Sequence, residues 1–190
     1  MAKGLKHILY ITVSTGCGGG IIIDGQIYRG RNDVAGEVGH MSIDPDGLVC
    51  PCGSRGCFEL YASGTAVSRR VREDIAGGVK NDLLASIDYD PEKVEGRILT
   101  EAAAKGDAYA LECYRMEGHY LGIGISNLLN LLNPQAIVLG GGITKAREFF
   151  EEEMLRVLKE RCLAPIEEDT VRYSVMNDRV VLYGAYWMLK

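Results

Sequence analysis

Three features of this 190-residue chain predict an α/β fold. Two β-branched runs near the start, residues 7–14 and 18–30, carry the Asp24-Gly25 dipeptide that signals a tight hairpin. Apolar residues then recur at alternating spacings of three and four from Leu111 to Leu132, the period of one helix face. Finally AIVLGGGI, residues 136–143, is a short apolar run ending in glycines ahead of an amphipathic segment. That pattern suits a buried strand that turns into a helix.

Taken in order, HILYITVS supplies the first strand and residues 18–30 two more, for a three-stranded antiparallel start. Residues 37–43 are expected to add extended chain before the turn Asp44-Pro45-Asp46-Gly47. Beyond them the pattern becomes helical. Ser63 or Thr65 can cap a segment running through Arg72, because a hydroxyl oxygen accepts from the open N–H groups of a first turn. Pro91 and Glu92 open a second stretch that passes Ile98 and Leu99 to Ala104. Asp107 caps the longest helix, and Asn133-Pro134 stops it. Gly118, Gly122 and Gly124 inside it would each cost about 1 kcal/mol relative to alanine, so they are expected to mark the close approach of another backbone. After the glycine turn a helix sets Phe150, Met154, Val157 and Leu158 on one face, with the acidic run EFFEEEM read as solvated. VVLYGAYWMLK, residues 180–190, reads as a strand or turn leading into a last helix.

Composition limits what such a chain does. With 47% hydrophobic residues the chain, residues 1–190, can bury a substantial core as one large domain or two small ones, and it carries no repeats or linkers. Within it, residues 36–59 form a loop, 60–132 a helical part and 135–163 a strand, turn and helix. A formal net charge of -5 argues against direct nucleic-acid contact. No apolar run reaches the roughly 18 residues of a membrane span, and MAKGLKHI is no signal segment, so a soluble cytoplasmic protein is expected.

The loop carries the chemistry. His40, Cys50, Cys52 and Cys57 make a nitrogen-and-sulfur set of the kind zinc takes in closed tetrahedral sites, and Glu37 and Glu59 flank it. Gly- and Pro-rich surroundings offer little apolar sequence to bury these thiols, unlike Cys17, Cys113 and Cys162, which read as small hydrophobes. A disulfide or free thiols are the alternatives to zinc. A nucleic-acid zinc ribbon fits less well, lacking paired knuckles and basic flanks. Two glycine clusters complete the candidates. Residues 14–20, STGCGGG, can aim backbone N–H groups at an anion with Ser14 or Thr15 as an added donor, or can simply form a hairpin turn. Residues 139–144, LGGGIT, fit a phosphate or nucleoside at a helix N-terminus, without the spacing of a GxGxxG or P-loop motif.

The ordered blocks STGCGGGIIIDGQIYRG, AGEVGH, CPCGSRGCFELYASG and LNPQAIVLGGGIT resemble the ROK family of sugar kinases and sugar-responsive repressors, over His7 to Trp187. The resemblance implies the actin-like, RNase H-like ATPase fold of two α/β lobes, with this chain as the C-terminal lobe and a zinc-stapled loop. It also implies roles: His40, Cys50, Cys52 and Cys57 hold structural zinc, and Glu37, His40 and Glu59 contact sugar hydroxyls. Ser14, Thr15 and Gly16 then face phosphates, and Gly140, Gly141 and Gly142 border the adenosine. The family's DxGGT loop and its Asn-Asp pair, whose aspartate is the base, have no counterpart here, and Cys17 replaces a small or aliphatic residue. The chain alone is therefore expected to be inactive. The function implied is that of a sugar kinase lobe, glucokinase first: hexose and Mg-ATP are its ligands, and it self-associates or pairs with an N-terminal lobe. The effector-binding half of a repressor and a free-standing zinc-stabilised sugar-binding module are the alternatives.

Overall fold

Alternating burial defines the first strand. In the computed structural model, which describes residues 2–176, β1 (Ile8–Val13) buries Leu9, Ile11 and Val13 completely and leaves Tyr10 and Thr12 half covered. β2 (Cys17–Ile23) returns antiparallel to it, and β3 (Gln26–Ile27) returns antiparallel to β2. Asp24 and Gly25 join them at φ 54° and 77°, the two positive values of the tight hairpin turn the dipeptide predicts. On the other side of β1 lies β4 (Ala136–Gly140), parallel to it and buried throughout, followed by β5 (Val171–Tyr173), parallel to β4. The result is a mixed five-stranded sheet ordered β3-β2-β1-β4-β5. β5 was not foreseen, since three half-buried residues carry no readable period.

The helices begin where short polar side chains accept from their open ends. Ser63 Oγ takes the Ala66 N–H at 3.1 Å and opens α1 (Gly64–Ala76), which runs past the expected Arg72. Asn81 opens the short α2 (Asp82–Ser86), which the sequence pattern did not disclose. Pro91–Lys93 is a separate 3-10 turn, and α3 (Gly96–Ala104) starts after it. Asp107 Oδ1 accepts the Ala110 N–H at 2.8 Å to open α4 (Ala108–Leu132), which ends at Asn133 in the left-handed region, φ 42°. α5 (Arg147–Arg161) packs along α4. The glycine row explains how closely: a Cβ on Gly118 would lie 2.3 Å from the Phe150 carbonyl oxygen, and one on Gly122 2.6 Å from Val157 Cβ.

Two expectations need correction. Residues 37–43 are extended only from Met41 onward. Val38–His40 forms a 3-10 turn whose Gly39 sits so close to β2 that a Cβ would be 2.1 Å from the Cys17 carbonyl oxygen. The acidic run 148–154 is not uniformly solvated either. Glu153 is only 11% exposed, taking Arg156 at 2.7 Å, His119 Nδ1 at 3.3 Å and Arg115 at 3.4 Å. The Arg156 guanidinium, aided by His119 and Arg115, holds its carboxyl down to about 2 despite burial. A folded-state value below the unfolded 4.5 means stability present above pH 4.5 and lost as pH falls toward 2. Glu153→Gln is therefore expected to flatten the stability profile between those limits, measured as urea midpoints across the acid range. An unchanged slope would refute it. The expected helix at residues 180–190 lies outside the described residues.

Candidate functional site

Two 3-10 turns, Val38–His40 and Phe58–Leu60, are tied together by backbone bonds. The Phe58 N–H donates to the Met41 carbonyl at 2.8 Å, Ser42 pairs with Cys57, and the Ile43 N–H donates to the Gly56 carbonyl at 2.8 Å. Between them the chain folds back on itself so tightly that a Cβ on Gly56, φ 67°, would lie 1.7 Å from the Asp44 carbonyl oxygen. Cys50 closes the knuckle, its N–H on the Ser54 carbonyl at 2.8 Å and its carbonyl on the Gly53 N–H at 2.9 Å.

This scaffold brings His40, Cys50, Cys52 and Cys57 together, with one ligand atom from each inside a mutual 4.8 Å. His40 Nδ1 lies 3.8 Å from Cys50 Sγ, and Cys52 and Cys57 place their sulfurs 3.6 Å apart. A tetrahedral zinc with bonds of about 2.3 Å to sulfur has sulfur–sulfur edges of about 3.8 Å, so the donor set fits that ion. All six cysteines are free thiols. Burial, with Cys50 and Cys52 beside it, pushes the Cys57 thiol up to about 12. Three sulfurs this close ionise together only around a cation, whose uptake then releases protons.

Glu59 connects this cluster to the sheet. Its Oε1 stands 3.5 Å from His40 Nδ1 and 3.7 Å from Cys50 Sγ, while Oε2 lies 2.8 Å from where a Cβ on Gly16 would be. Glu37 precedes the first turn, exposed, and His40 turns Nδ1 toward the cluster, leaving Nε2 at the far edge of a ring 40% exposed.

Ser14, Thr15 and Gly16 close the β1–β2 hairpin, with the Ser14 N–H on the Gly16 carbonyl at 2.9 Å. The turn is a hairpin turn, and Ser14 and Thr15 also line a cavity of about 720 Å³. The Gly64 N–H donates to the Ser14 carbonyl at 2.7 Å and pins the start of α1 beside it. Gly140 and Gly141 stand behind the cavity: a Cβ on them would lie 2.1 Å from the Tyr10 hydroxyl and 2.2 Å from the Val13 carbonyl oxygen. Gly142 alone of the three lines it, 3.6 Å from Ser14 Oγ to its would-be Cβ. Sequence reasoning missed Ser68, Arg72, Arg97 and Lys145 on the walls, and considered Thr65 only as a cap. The signal for three of them was the spacing of Thr65, Ser68 and Arg72, which share one face of α1.

Fold and site together define an α/β lobe in which a thiol-rich loop and an open, hydroxyl-lined cavity meet at one hairpin turn. The chain belongs to the ROK family, whose model matches residues 1–190. It is 35% identical over 190 residues to a glucokinase of Halalkalibacterium halodurans, covering 98% of this chain and 57% of that protein. To the xylose repressor of Bacillus spizizenii it is 40% identical over 145 residues, 76% of this chain and 34% of the repressor. Its structure superposes on the crystal structure of a ROK family glucokinase from Streptomyces griseus in complex with glucose and AMPPNP. The TM-score is 0.87 at 33% identity, over 99% of this chain and 62% of that one. The chain thus spans about half the length of the curated relatives it matches. No helix among the described residues is long and apolar enough to cross a membrane.

Proposed function

We propose that residues 1–190 form the sugar- and nucleotide-binding C-terminal lobe of a ROK sugar kinase of the glucokinase type. The complete enzyme moves the γ-phosphoryl of ATP to the 6-hydroxyl of a hexose, glucose first. The observation that carries this is the position of Glu59, one carboxylate oxygen at the cysteine–histidine cluster and the other facing the Gly16 turn. An ionised carboxylate only accepts, so it selects hydroxyl donors lying between loop and turn. His40, Cys50, Cys52 and Cys57 would hold zinc, which supplies structural closure because protein atoms fill all four positions. Glu37, His40 and Glu59 contact the sugar, Ser14, Thr15 and Gly16 face the phosphates, and Gly140, Gly141 and Gly142 shape the nucleoside end. Magnesium enters with the nucleotide.

The similarity to a xylose repressor supports a second reading, the sugar-sensing half of a regulator. The cavity at the α1 start favours the kinase, because a sensor of sugar alone needs no second site of about 720 Å³. Calorimetry with glucose and a non-hydrolysable ATP analogue separates the two: both bind a kinase lobe, sugar alone binds a sensor. Glu59→Gln in the complete protein is expected to weaken glucose binding by roughly 10- to 100-fold through loss of a charged hydrogen bond, with zinc still bound. Loss of zinc in that variant would instead make Glu59 a support of the loop.

A further inference from the structure

Glu117 of α4 is a fully buried carboxylate outside the cleft, and its Oε1 has no hydrogen-bond partner. Its Oε2 accepts from Arg70 Nη2 of α1 at 3.1 Å. Burial outweighs the opposing pull of Arg70 and raises the Glu117 carboxyl above the usual carboxylate range. Arg70 spends its other arm on the loop: Nη1 donates to the Tyr61 carbonyl at 2.6 Å, beside Arg69 Nη2 on the Leu60 carbonyl at 3.1 Å. Leu60 ends the turn that carries Glu59. The Tyr61 hydroxyl in turn accepts the Leu48 N–H at 2.9 Å and donates to Asp44 at 3.0 Å, so the far side of the loop hangs on the same residue. Tyr120 of α4 packs on the Tyr61 ring, centroids 5.1 Å apart, and under the Arg70 guanidinium.

α1 therefore has two working faces. One lines the cavity with Thr65, Ser68 and Arg72, and the other grips the loop. Buried ion pairs contribute little net stability compared with apolar residues of like size, so stability does not account for this one. What the pair does supply is a donor of fixed direction. We propose that Arg70, aimed by the buried carboxylate of Glu117, is a positioning residue that fixes the Glu59 turn against α1, so that the sugar-side loop and nucleotide-side helix move as one body. The loop's role here rests on the function proposed above.

The test compares the purified chain with Arg70→Met/Glu117→Leu and with Glu117→Gln. The apolar double variant is expected to keep its thermal midpoint. It loses the donor to Tyr61, so deuterium exchange at the Leu48 amide should speed up at least about tenfold, and a chelator should strip zinc faster by a similar factor. Glu117→Gln keeps an acceptor for Arg70 and is expected to do the opposite, with a lower midpoint and wild-type exchange at Leu48. Exchange that merely follows the midpoint in both variants would mean a structural role and overturn the proposal. So would wild-type exchange in the folded double variant. Should the double variant not fold, Arg70→Lys decides, because it keeps a cation for Glu117 but loses the two-armed reach: faster Leu48 exchange supports the clamp and wild-type exchange overturns it. A wild-type chain that takes up no zinc sinks the metal assignment, while Leu48 exchange still decides the clamp.

Discussion

Cys57→Ser is expected to cost the chain the zinc proposed for its loop and the order of residues 41–61 together. Cys57 is fully buried, pairs with Ser42 across the two strands of the loop, and opens the turn that carries Glu59. A serine hydroxyl ligates zinc poorly, which leaves three donors for a site whose geometry asks for four. Beyond its hydrogen bonds, the loop buries little apolar surface of its own. Val49 is 63% exposed, and the only strand pairings between residues 42 and 57 are two isolated bridges. Metal binding then has to provide its folding free energy, which for small structural zinc sites is on the order of 10 kcal/mol near neutral pH. Metal analysis should find close to one zinc per wild-type chain and almost none in Cys57→Ser. A chelator should bring the wild-type thermal midpoint down to that of the variant. If the wild-type midpoint ignores the chelator, the loop folds without metal and the staple is wrong. Affinity should also rise with pH, because the Cys57 proton has to leave before the sulfur can ligate.

What could be read in the sequence is what local chemistry decides. Asp24-Gly25 tolerates two positive φ values, Asp107 accepts the first open N–H groups, and Asn133 adopts the left-handed exit, so hairpin and helix limits follow from neighbours in sequence. The candidate set His40, Cys50, Cys52 and Cys57 was legible too, since spacing and residue type single it out, and the fold brings the four side chains together. The failures share one cause, a partner far along the chain. Val38–His40 turns instead of extending because Gly39 lies on the Cys17 backbone of β2. Glu153 looks solvated until His119 and Arg115 of α4 cover it. Ser68, Arg72 and Lys145 are ordinary residues of a helix and a turn, and only the meeting of α1, α3 and the β4 exit makes them walls of one cavity. Arg70 and Glu117 are 47 positions apart, so no window of sequence contains both halves of that pair.

Phe58→Ala is expected to destabilise the chain by about 3–5 kcal/mol, toward the upper end of what core truncations cost. The ring is fully buried and lies directly on the α4 backbone, where a Cβ added to Gly124 would come within 2.3 Å of Cε2. A cavity there cannot collapse easily. Gly124 has no side chain to move into it, and the close contacts of Gly118 and Gly122 with α5 hold α4 in place. Phe58 also sits between Cys57 and Glu59, so its loss should loosen both the Cys57 thiol and the Glu59 carboxylate. Gly124→Ala alone should destabilise through overpacking, typically about 1–3 kcal/mol, in spite of gaining up to about 1 kcal/mol in helix propensity. In the Phe58→Ala background the same change meets an empty space and should become stabilising. A double-mutant cycle by urea denaturation should therefore show strong coupling, with the double variant more stable than Phe58→Ala. Simple additivity would mean that the Phe58 ring does not rest on Gly124, and the turn bearing Glu59 would need another anchor.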